Sequence, residues 1–420
     1  MVTQSMISVE EALERILSYF HRLDPEERPL LDALGQVLAE DIDATFDIPP
    51  LDNTAMDGYA VRAADTTGAA EANPVTLQVI GELAAGYLYE GEVTPGDAVR
   101  IMTGAPIPPG ADAVVPFEET DEATAGPAAR SPTQVQVFKA AAAGANIRRA
   151  AEDVQRGAAV IARDTVLGPA QIGVLASLGL ATVRVYRRPT VAILSTGDEL
   201  LELGQPIEPG KIYDSNAYSV AAMVRQAGGL PKQLGIASDT IDALTAKLRQ
   251  GLDADMLITS AGVSRGDFDI VKDVLAKEGK IDFWTVRMKP GKPLAFGAFP
   301  AKDRNVPHIG LPGNPVSSMI TFELFGRPAV LKMLGKSDWQ RPTVRAIAQD
   351  RIVNTDGRRV FARAILTQQG GRHYASLTGP QGSGILTSMA LANALAVVPE
   401  DVPAIEPGDE VECLLLDAGS

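Results

Sequence analysis

From Val191 to about Leu334, short apolar runs alternate with amphipathic helical stretches, and this alternation constrains the fold more than any other feature of the chain. The runs at 191–194, 234–237, 256–259, 281–286, 294–299 and 308–311 read as strands. Helices are expected at 216–226, after Asp214 and Ser215 and before Gly228 and Gly229, and from Asp239 as N-cap through Leu244, Leu248 and Leu252. Two more are expected at about 269–277 and from Pro315, an ideal first helical position, to about Leu334. Such a succession predicts a mostly parallel, doubly wound sheet.

In sheets of that kind, ligands bind beyond the carboxyl ends of the strands. Polar, glycine-bearing segments fall there: Ser195-Thr196-Gly197-Asp198-Glu199, Ser238-Asp239, and 260–269 with Gly262, Ser264, Gly266, Asp267 and Asp269. Two proline turns complete the set, Lys289-Pro290-Gly291-Lys292-Pro293 and Gly310-Leu311-Pro312-Gly313-Asn314-Pro315. Glycines and helix starts offer backbone N–H groups to phosphate or another oxyanion. Asp198, Glu199, Asp239, Asp267 and Asp269 supply carboxylates for Mg²⁺ or for donors on a heterocycle, and Lys289 and Lys292 are compact cations suited to oxyanions. Taken singly, each proline turn is equally a tight surface turn. A glycine-rich dinucleotide fingerprint and a Walker lysine motif are both lacking, which argues against NAD and P-loop chemistry.

The flanks differ in character. Ser8 and Glu11 form a capping box ahead of Val9, Ala12, Leu13, Ile16, Leu17 and Phe20 at helical spacing, and Leu30, Leu31, Leu34, Val37 and Leu38 suggest a second helix. Asp52, Asn53, Thr54 and Asp57 crowd a loop that is either a plain Asp-Gly turn or a set of ligands for Mg²⁺ or a water. Short strands and Gly/Pro turns from 75 to 137 predict a small β domain, with 123–132 as an exposed tip or loop. Arg148 and Arg149 lie near Glu152 and Asp153, which by themselves make a surface ion-pair cluster. Strand, short helix and strand across 154–185, with Gly179 just past the helix, would return to the N-terminal helices and leave the β domain as an insertion. After Arg341, strands at 344–348, 359–366 and 411–416 predict a small β-barrel, in which 378–384 is a ligand-touching or an ordinary loop.

Composition narrows the function. A chain of 420 residues exceeds one core, so roughly three domains are expected. A formal net charge of −15 argues against non-specific binding to nucleic acid or an anionic membrane, so docking points for an anionic substrate must be local. Cys413 is the sole cysteine, which excludes an intrachain disulfide, and His21, His308 and His373 lack metal-ligand spacing. The uncharged stretch 165–183 is broken by Pro169, Gln171, Ser177 and glycines, fitting a buried helix with flanking strands better than a membrane span. The early charges Glu10 and Glu11 have the wrong sign for a secretory signal, so a cytoplasmic protein is expected.

Taken together and in order, these motifs resemble the molybdopterin molybdenumtransferases, the metal-inserting enzymes that include the E domain of gephyrin. The signatures are Asn53-Thr54-Ala55-Met56-Asp57-Gly58-Tyr59-Ala60, Arg100-Ile101-Met102-Thr103-Gly104-Ala105, Ser195-Thr196-Gly197-Asp198-Glu199-Leu200, the 260–269 segment and both proline turns. The resemblance spans essentially the whole chain. It implies a discontinuous N-terminal linker domain (1–46 and 154–186), an inserted β domain (47–153), an α/β molybdopterin-binding domain (187–336) and a C-terminal β-barrel (341–420). It further implies a homodimer whose cleft joins the α/β domain of one subunit to the inserted-domain region of the other. The implied reaction takes molybdate and adenylylated molybdopterin, cleaves the pyrophosphate bond with Mg²⁺, and yields molybdenum cofactor and AMP. A molybdopterin adenylyltransferase would supply the substrate, and molybdoenzymes or their chaperones would receive the product.

Carried over by position, the resemblance assigns Asp57, Thr103, Asp153, Glu199, Asp239 and Asp269 to catalysis, with Asp57, Glu199 and Asp239 as candidate Mg²⁺ ligands. Lys289, Lys292 and Arg148 become anion-binding positions, Pro312 and Pro315 turn positions, and Ser383 a C-terminal position near molybdate. The substrate-binding set also takes in Ser195, Thr196, Gly197, Asp198, Gly262, Ser264, Gly266, Asp267, Gly313 and Asn314. Two departures stand out. The usual Arg-Arg-Arg-Gly-Glu-Asp is Arg148-Arg149-Ala150-Ala151-Glu152-Asp153, and the usual Ser-Gly-Gly-Val-Ser is Ser260-Ala261-Gly262-Val263-Ser264, followed by Arg265. Competing expectations are an adenylyltransferase of the related fold, which would need only 191–334, and an interaction scaffold.

Overall fold

Residues 6–123, 133–238, 240–260, 274 and 277–416 are described by the structure, a computed structural model. It divides into two units: Met1–Ala39, Val166–Gly168 and Thr182–Ser420 form one, and Glu40–Thr165 with Pro169–Ala181 the other.

The first unit carries a six-stranded sheet in the order Leu230–Ala237, Thr190–Thr196, Met256–Ser260, Asn305–Leu311, Pro293–Pro300 and Lys280–Thr285. The first four run parallel, Pro293–Pro300 runs against them, and Lys280–Thr285 pairs antiparallel with Pro293–Pro300, so the doubly wound sheet ends in an antiparallel edge. Its central strands are apolar throughout because both faces are covered: Val191 and Ile193 face one core, Ala192 and Leu194 the other. The antiparallel edge matters for the site. Ala295 pairs with Gly310 and Pro300 with Asn305, so the strand beginning at Pro293 starts at the carboxyl end of its neighbour. The Lys-Pro-Gly-Lys-Pro turn is thereby delivered to the same rim as the loops that follow the parallel strands.

Local signals set the helices. Asp214 caps Ser215–Ala227 by accepting from the Ala217 N–H at 3.0 Å, and Gly228 closes it at φ +100°. Helix Ile241–Gln250 is capped by Thr240, whose Oγ1 accepts from the Ala243 N–H, and not by the expected Asp239, which lies outside the described residues. Most of the helix expected at 269–277 also lies outside them. The long helix starts at Pro315 as predicted and continues through a π turn at Phe322–Gly326 to Arg327–Met333.

At the N-terminus, Ser8 accepts from the Glu11 N–H at 3.0 Å and opens helix Val9–Leu17, whose apolar face enters the core that holds Met288, Phe296 and Phe325. The helix expected through Leu30–Leu38 is a single 3-10 turn, Leu30–Ala33. Gly35 sits at φ +77°, which breaks the helical path, and Val37 and Leu38 form isolated bridges with Val166 and Val185. The returning strand Thr182–Tyr186 pairs antiparallel with Pro25–Pro29.

The C-terminal region is a closed barrel of Arg359–Gln369, Arg372–Leu377, Thr343–Ala348, Glu410–Leu415 and Ala394–Val398, the last pairing back on the first. Alanines dominate its interior (Ala346, Ala348, Ala362, Ala364, Ala375, Ala394 and Ala396), as a narrow barrel requires. Met288–Lys289 adds in parallel against Arg359–Val360.

The second unit holds a five-stranded sheet in the order Ala113–Pro116, Gly58–Val61, Asp97–Ile101, Val75–Leu83 and Gln134–Val137; short strands are expected from the sequence at 75–137, and Gly58–Val61 joins them from outside that stretch. Its two faces bury separate clusters, one around Tyr59 and Val115, the other around Val99 and Val114. Among the described residues, no helix of either unit is long and apolar enough to cross a membrane.

Candidate functional site

At the carboxyl rim of the first unit, Thr196 ends its strand and Gly197 follows at φ +140°. A Cβ on Gly197 would lie 2.5 Å from Glu199 Oε2, so glycine is what lets the Glu199 carboxylate fold back over the chain. Lys211 Nζ donates to the Asp198 carbonyl at 2.5 Å, and Leu200–Leu201 pairs with Ile212–Tyr213, which braces this excursion. Asn216 knits the rim together: its Nδ2 donates to Ser260 Oγ and to the Gly313 carbonyl, each at 2.8 Å. The result is a cavity of about 740 Å³ bordered by Thr196, Glu199, Asp214, Asn216, Ser260 and the Pro312-Gly313-Asn314-Pro315 turn. Ser195 Oγ and Asn216 Oδ1 are buried beside it without a hydrogen-bond partner among the described residues.

A second cavity, of about 570 Å³, lies between the Lys-Pro-Gly-Lys-Pro turn and the barrel. The Lys289-Pro290 bond is cis, the Val286 N–H donates to the Lys292 carbonyl at 2.9 Å, and Gly291 sits at φ +100° against Thr321. Both lysines line the opening, and neither has an ion-pair partner among the described residues. Across from them, Ser383 contributes to the lining while its carbonyl accepts from the Val316 N–H at 3.0 Å, at the start of the long helix. Pro293 and Ser317 border both cavities and form their common wall.

The floor of this second cavity holds a residue the sequence reading missed. Arg363 is 1% exposed, yet no carboxylate pairs with it among the described residues. Its Nε donates to Ser388 Oγ (3.0 Å), Nη1 to the Gln381 carbonyl (3.1 Å) and Nη2 to the Gly382 carbonyl (3.0 Å), which fixes the loop carrying Ser383. Burial pulls its pKa below that of a free guanidinium. The available signal was a lone arginine in the apolar run Val360-Phe361-Ala362-Arg363-Ala364, where an inward charge needs a reason. Asn216 and Ser317 were missed as well; each is a polar residue at the start of a rim helix.

Asp57 and Thr103 meet in the second unit. The Thr103 N–H and Oγ1 both donate to Asp57 Oδ1 at 2.7 Å, and these bonds hold the carboxyl below the usual range. Gly58 is required by packing, because a Cβ there would lie 2.1 Å from the Val115 carbonyl oxygen. Arg148 pairs across from Asn53 in a two-stranded ladder, while Asp52 accepts from Arg149 Nη1 at 2.6 Å and from the Ala150 N–H at 2.8 Å. Ala151 occupies φ +63°, a conformation that suits the glycine usual at this point of the motif. Asp153 is exposed, and its N–H donates to the Ile48 carbonyl.

The first unit thus assembles Thr196, Glu199, Pro312, Gly313, Asn314 and Pro315 around one cavity and Lys289, Lys292 and Ser383 around the next. Ser195, Gly197 and Asp198 support the same rim. Asp239, Gly262, Ser264, Gly266, Asp267 and Asp269 lie outside the described residues, as do Ala261 and Arg265. No three His, Cys, Asp or Glu side chains converge as a metal cluster among the described residues.

Residues 7–179 match the family described as MoeA N-terminal region (domain I and II), 192–332 a probable molybdopterin binding domain, and 345–416 the MoeA C-terminal region (domain IV). The chain is 39% identical over 414 residues to molybdopterin molybdenumtransferase 2 of Mycobacterium tuberculosis (strain CDC 1551 / Oshkosh), covering 97% of this chain and 99% of that one. It is 37% identical to the molybdopterin molybdenumtransferase of Nostoc sp. (strain PCC 7120), covering 98% and 94% respectively. Its structure is similar to that of a molybdopterin biosynthesis moea protein from Pyrococcus horikosii, with a TM-score of 0.81, 31% identity and coverage of 99% and 100%.

Proposed function

This chain belongs to the MoeA family of molybdopterin molybdenumtransferases, and from that premise we propose that it inserts molybdenum from molybdate into adenylylated molybdopterin, releasing AMP. The observation that carries this reading is the pair of cavities with a common wall at Pro293 and Ser317. One is lined by cations, as a tetrahedral dianion needs; the other is larger and lined by hydroxyls, two amides and carboxylates, as a nucleotide-bearing heterocycle needs.

In this reading Lys289, Lys292 and the Ser383 loop hold molybdate, with Arg363 fixing the loop. Thr196, Asn216, Ser260 and the Gly313-Asn314 turn orient the organic substrate, whose dithiolene approaches the oxyanion at the Ser317 wall. Charge developing on the phosphate and molybdate oxygens meets donors already in position. The residues present also suit Mg²⁺, which ordinarily binds through one or two carboxylates and substrate phosphates. Glu199 has a carboxylate with no hydrogen-bond partner among the described residues, and Thr103 occupies only one of the two Asp57 oxygens. Asp57, Glu199 and Asp239 are each proposed as a carboxylate ligand for Mg²⁺, as the family resemblance implies. When bound, the ion supplies charge neutralisation for cleavage of the pyrophosphate bond. Thr103 keeps Asp57 ionised and oriented, and Asp153, Asp239 and Asp269 are assigned to the same cleavage step.

The four-part domain division, a homodimeric working form and a cytoplasmic setting belong to the same proposal. The deciding experiment adds molybdate to the protein with adenylylated molybdopterin and Mg²⁺ and follows AMP. Molybdate-dependent release supports insertion, whereas ATP-dependent adenylylation of molybdopterin in place of it overturns the reading.

A further inference from the structure

In the second unit, Asp57 lies close to a cation that pairs elsewhere. Tyr59 and Arg100 are partners in the antiparallel ladder between Gly58–Val61 and Asp97–Ile101, and Asp57 stands two residues before Tyr59. Neighbours on that diagonal lie about 7–8 Å apart, a span that long side chains cover. Bonds from Thr103 are the main cause of the lowered Asp57 carboxyl, and the charge of Arg100 adds to them. The ion pairs of Arg100 among the described residues nevertheless go to Glu82 and Glu122, not to Asp57.

Glu122 holds the guanidinium most firmly. Arg100 Nη2 donates to Glu122 Oε1 at 2.5 Å, Nε lies 3.1 Å from both Glu122 oxygens, and Nη1 donates to Glu82 at 2.8 Å. All three nitrogens are thereby engaged. The Arg100 and Glu122 side chains are 17% and 16% exposed, whereas that of Glu82 is 48% exposed, so Glu122 is the better shielded partner. Glu122 is itself fixed, because the hydroxyl of the fully buried Tyr59 donates to its Oε2 at 2.5 Å. The Phe117 ring packs under the Arg100 guanidinium, 4.5 Å from Cζ to ring centre, and edge-on against Tyr59. The Phe117 N–H in turn donates to the Asp57 carbonyl at 3.2 Å, so the same cluster reaches the Asp57 backbone.

We propose that Glu122, anchored by Tyr59, sequesters the Arg100 guanidinium and so keeps the Asp57 carboxylate open to a divalent cation. This rests on the assignment of Asp57 to Mg²⁺ made above. Without Glu122, Arg100 keeps only the half-exposed Glu82, and Asp57 offers a second carboxylate through the oxygen that Thr103 does not occupy. A guanidinium–carboxylate pair at that oxygen competes directly with the ion. Glu122 and Tyr59 act through Arg100 and Asp57, which makes them positioning residues.

The test is a double-mutant cycle in the full-length protein with Glu122→Gln, Arg100→Gln and the two combined. Two quantities are read. One is Mn²⁺ binding, followed by electron paramagnetic resonance with adenylylated molybdopterin bound and molybdate absent; the other is the Mg²⁺ concentration for half-maximal AMP release. Glu122→Gln should weaken Mn²⁺ binding and raise the Mg²⁺ requirement about fivefold, with the rate at saturating Mg²⁺ held within about twofold. Removing Arg100 as well should return both values to within about twofold of the parent, because the competing cation is gone. A purely structural ion pair predicts the opposite, a double variant no better than Glu122→Gln. Tyr59→Phe deletes only the anchoring hydroxyl and should shift both values the same way by about twofold, which keeps the proposal testable should Glu122→Gln fold poorly. Unchanged cation affinity in Glu122→Gln and Tyr59→Phe, or no recovery in the double variant, overturns the sequestration alone. Mn²⁺ binding that Asp57→Asn leaves intact overturns the assignment of Asp57 to the ion as well.

Discussion

Replacing Ala151 by glycine should stabilise the second unit, whereas the same change one residue earlier should not. Ala151 sits at φ +63°, pinned by its own N–H to the Pro49 carbonyl at 3.0 Å and by the Glu152 N–H to the Arg149 carbonyl at 3.1 Å. Its neighbour Ala150 has no positive φ, and its N–H donates to Asp52 at 2.8 Å. The left-handed region costs an alanine about 1–2 kcal/mol. A glycine loses about 0.5–1 kcal/mol more than alanine when the unfolded chain is ordered. The net for Ala151→Gly is therefore about 0.5–1 kcal/mol of added stability, a rise of about 2–4 °C in Tm. For Ala150→Gly only the ordering term remains, so stability should fall by about 0.5–1 kcal/mol. Calorimetry or urea titration of the two variants side by side reads a difference of about 1–2 kcal/mol. If both glycine variants melt below the parent by similar amounts, the strain assigned to Ala151 is absent and the reasoning fails.

Lys292→Ala should leave the melting temperature unchanged, since the side chain is exposed and lacks an ion-pair partner among the described residues, but should lower molybdate-dependent turnover by about 3 kcal/mol in barrier, about a hundredfold. A loss below fivefold would count against its role. Gly291→Ala puts a Cβ 2.6 Å from Thr321 Oγ1 and 2.8 Å from Met288 Cε at φ +100°, so thermal unfolding should show a loss of about 1–3 kcal/mol, and a parent-like melt refutes the fit. Arg363→Lys keeps the charge but loses the fork that holds the Gln381 and Gly382 carbonyls; the molybdate requirement should rise with a modest loss of stability, and wild-type kinetics would exclude the assigned part. Burial pushes the Asp255 carboxyl up, but Arg187, the Thr190 N–H and Arg304 outweigh it and hold the group below its ordinary range. A lowered folded pKa gives stability that is full above the unfolded value of 3.8 and lost as pH falls through the folded value. Acid titration should thus steepen below about pH 4 in the parent and flatten there in Asp255→Asn, which also starts about 3 kcal/mol lower; parallel curves would refute the linkage.

Much of the fold was legible because local signals agreed with the tertiary pattern. Asp214, Gly228 and Pro315 bound helices in the structure where the sequence suggests they should, and the apolar strands match burial on both faces. The stretch from Leu30 to Leu38 misleads for a physical reason: its apolar spacing imitates a helical face, but Gly35 turns the chain and Val37 and Leu38 are buried through bridges. The polar turns of the candidate site could be read because glycine and proline mark backbone geometry directly. Arg363 could not, because its inward direction depends on barrel closure between Arg359–Gln369 and Ala394–Val398, a pairing with no local signature. Nor does spacing reveal that Asn216 joins Ser260 to Gly313.

The Lys-Pro-Gly-Lys-Pro segment has one further consequence. Lys289 belongs to the ladder against Val360 of the barrel, while Pro293 opens the strand paired with Thr285 in the α/β sheet. Three residues span two independent ladders, so a single inserted or deleted residue has to be absorbed by a slip in one of them. Each slip turns a strand's side chains to the opposite face. The segment should consequently tolerate changes of side chain far better than changes of length, serving as a fixed ruler between two sheets.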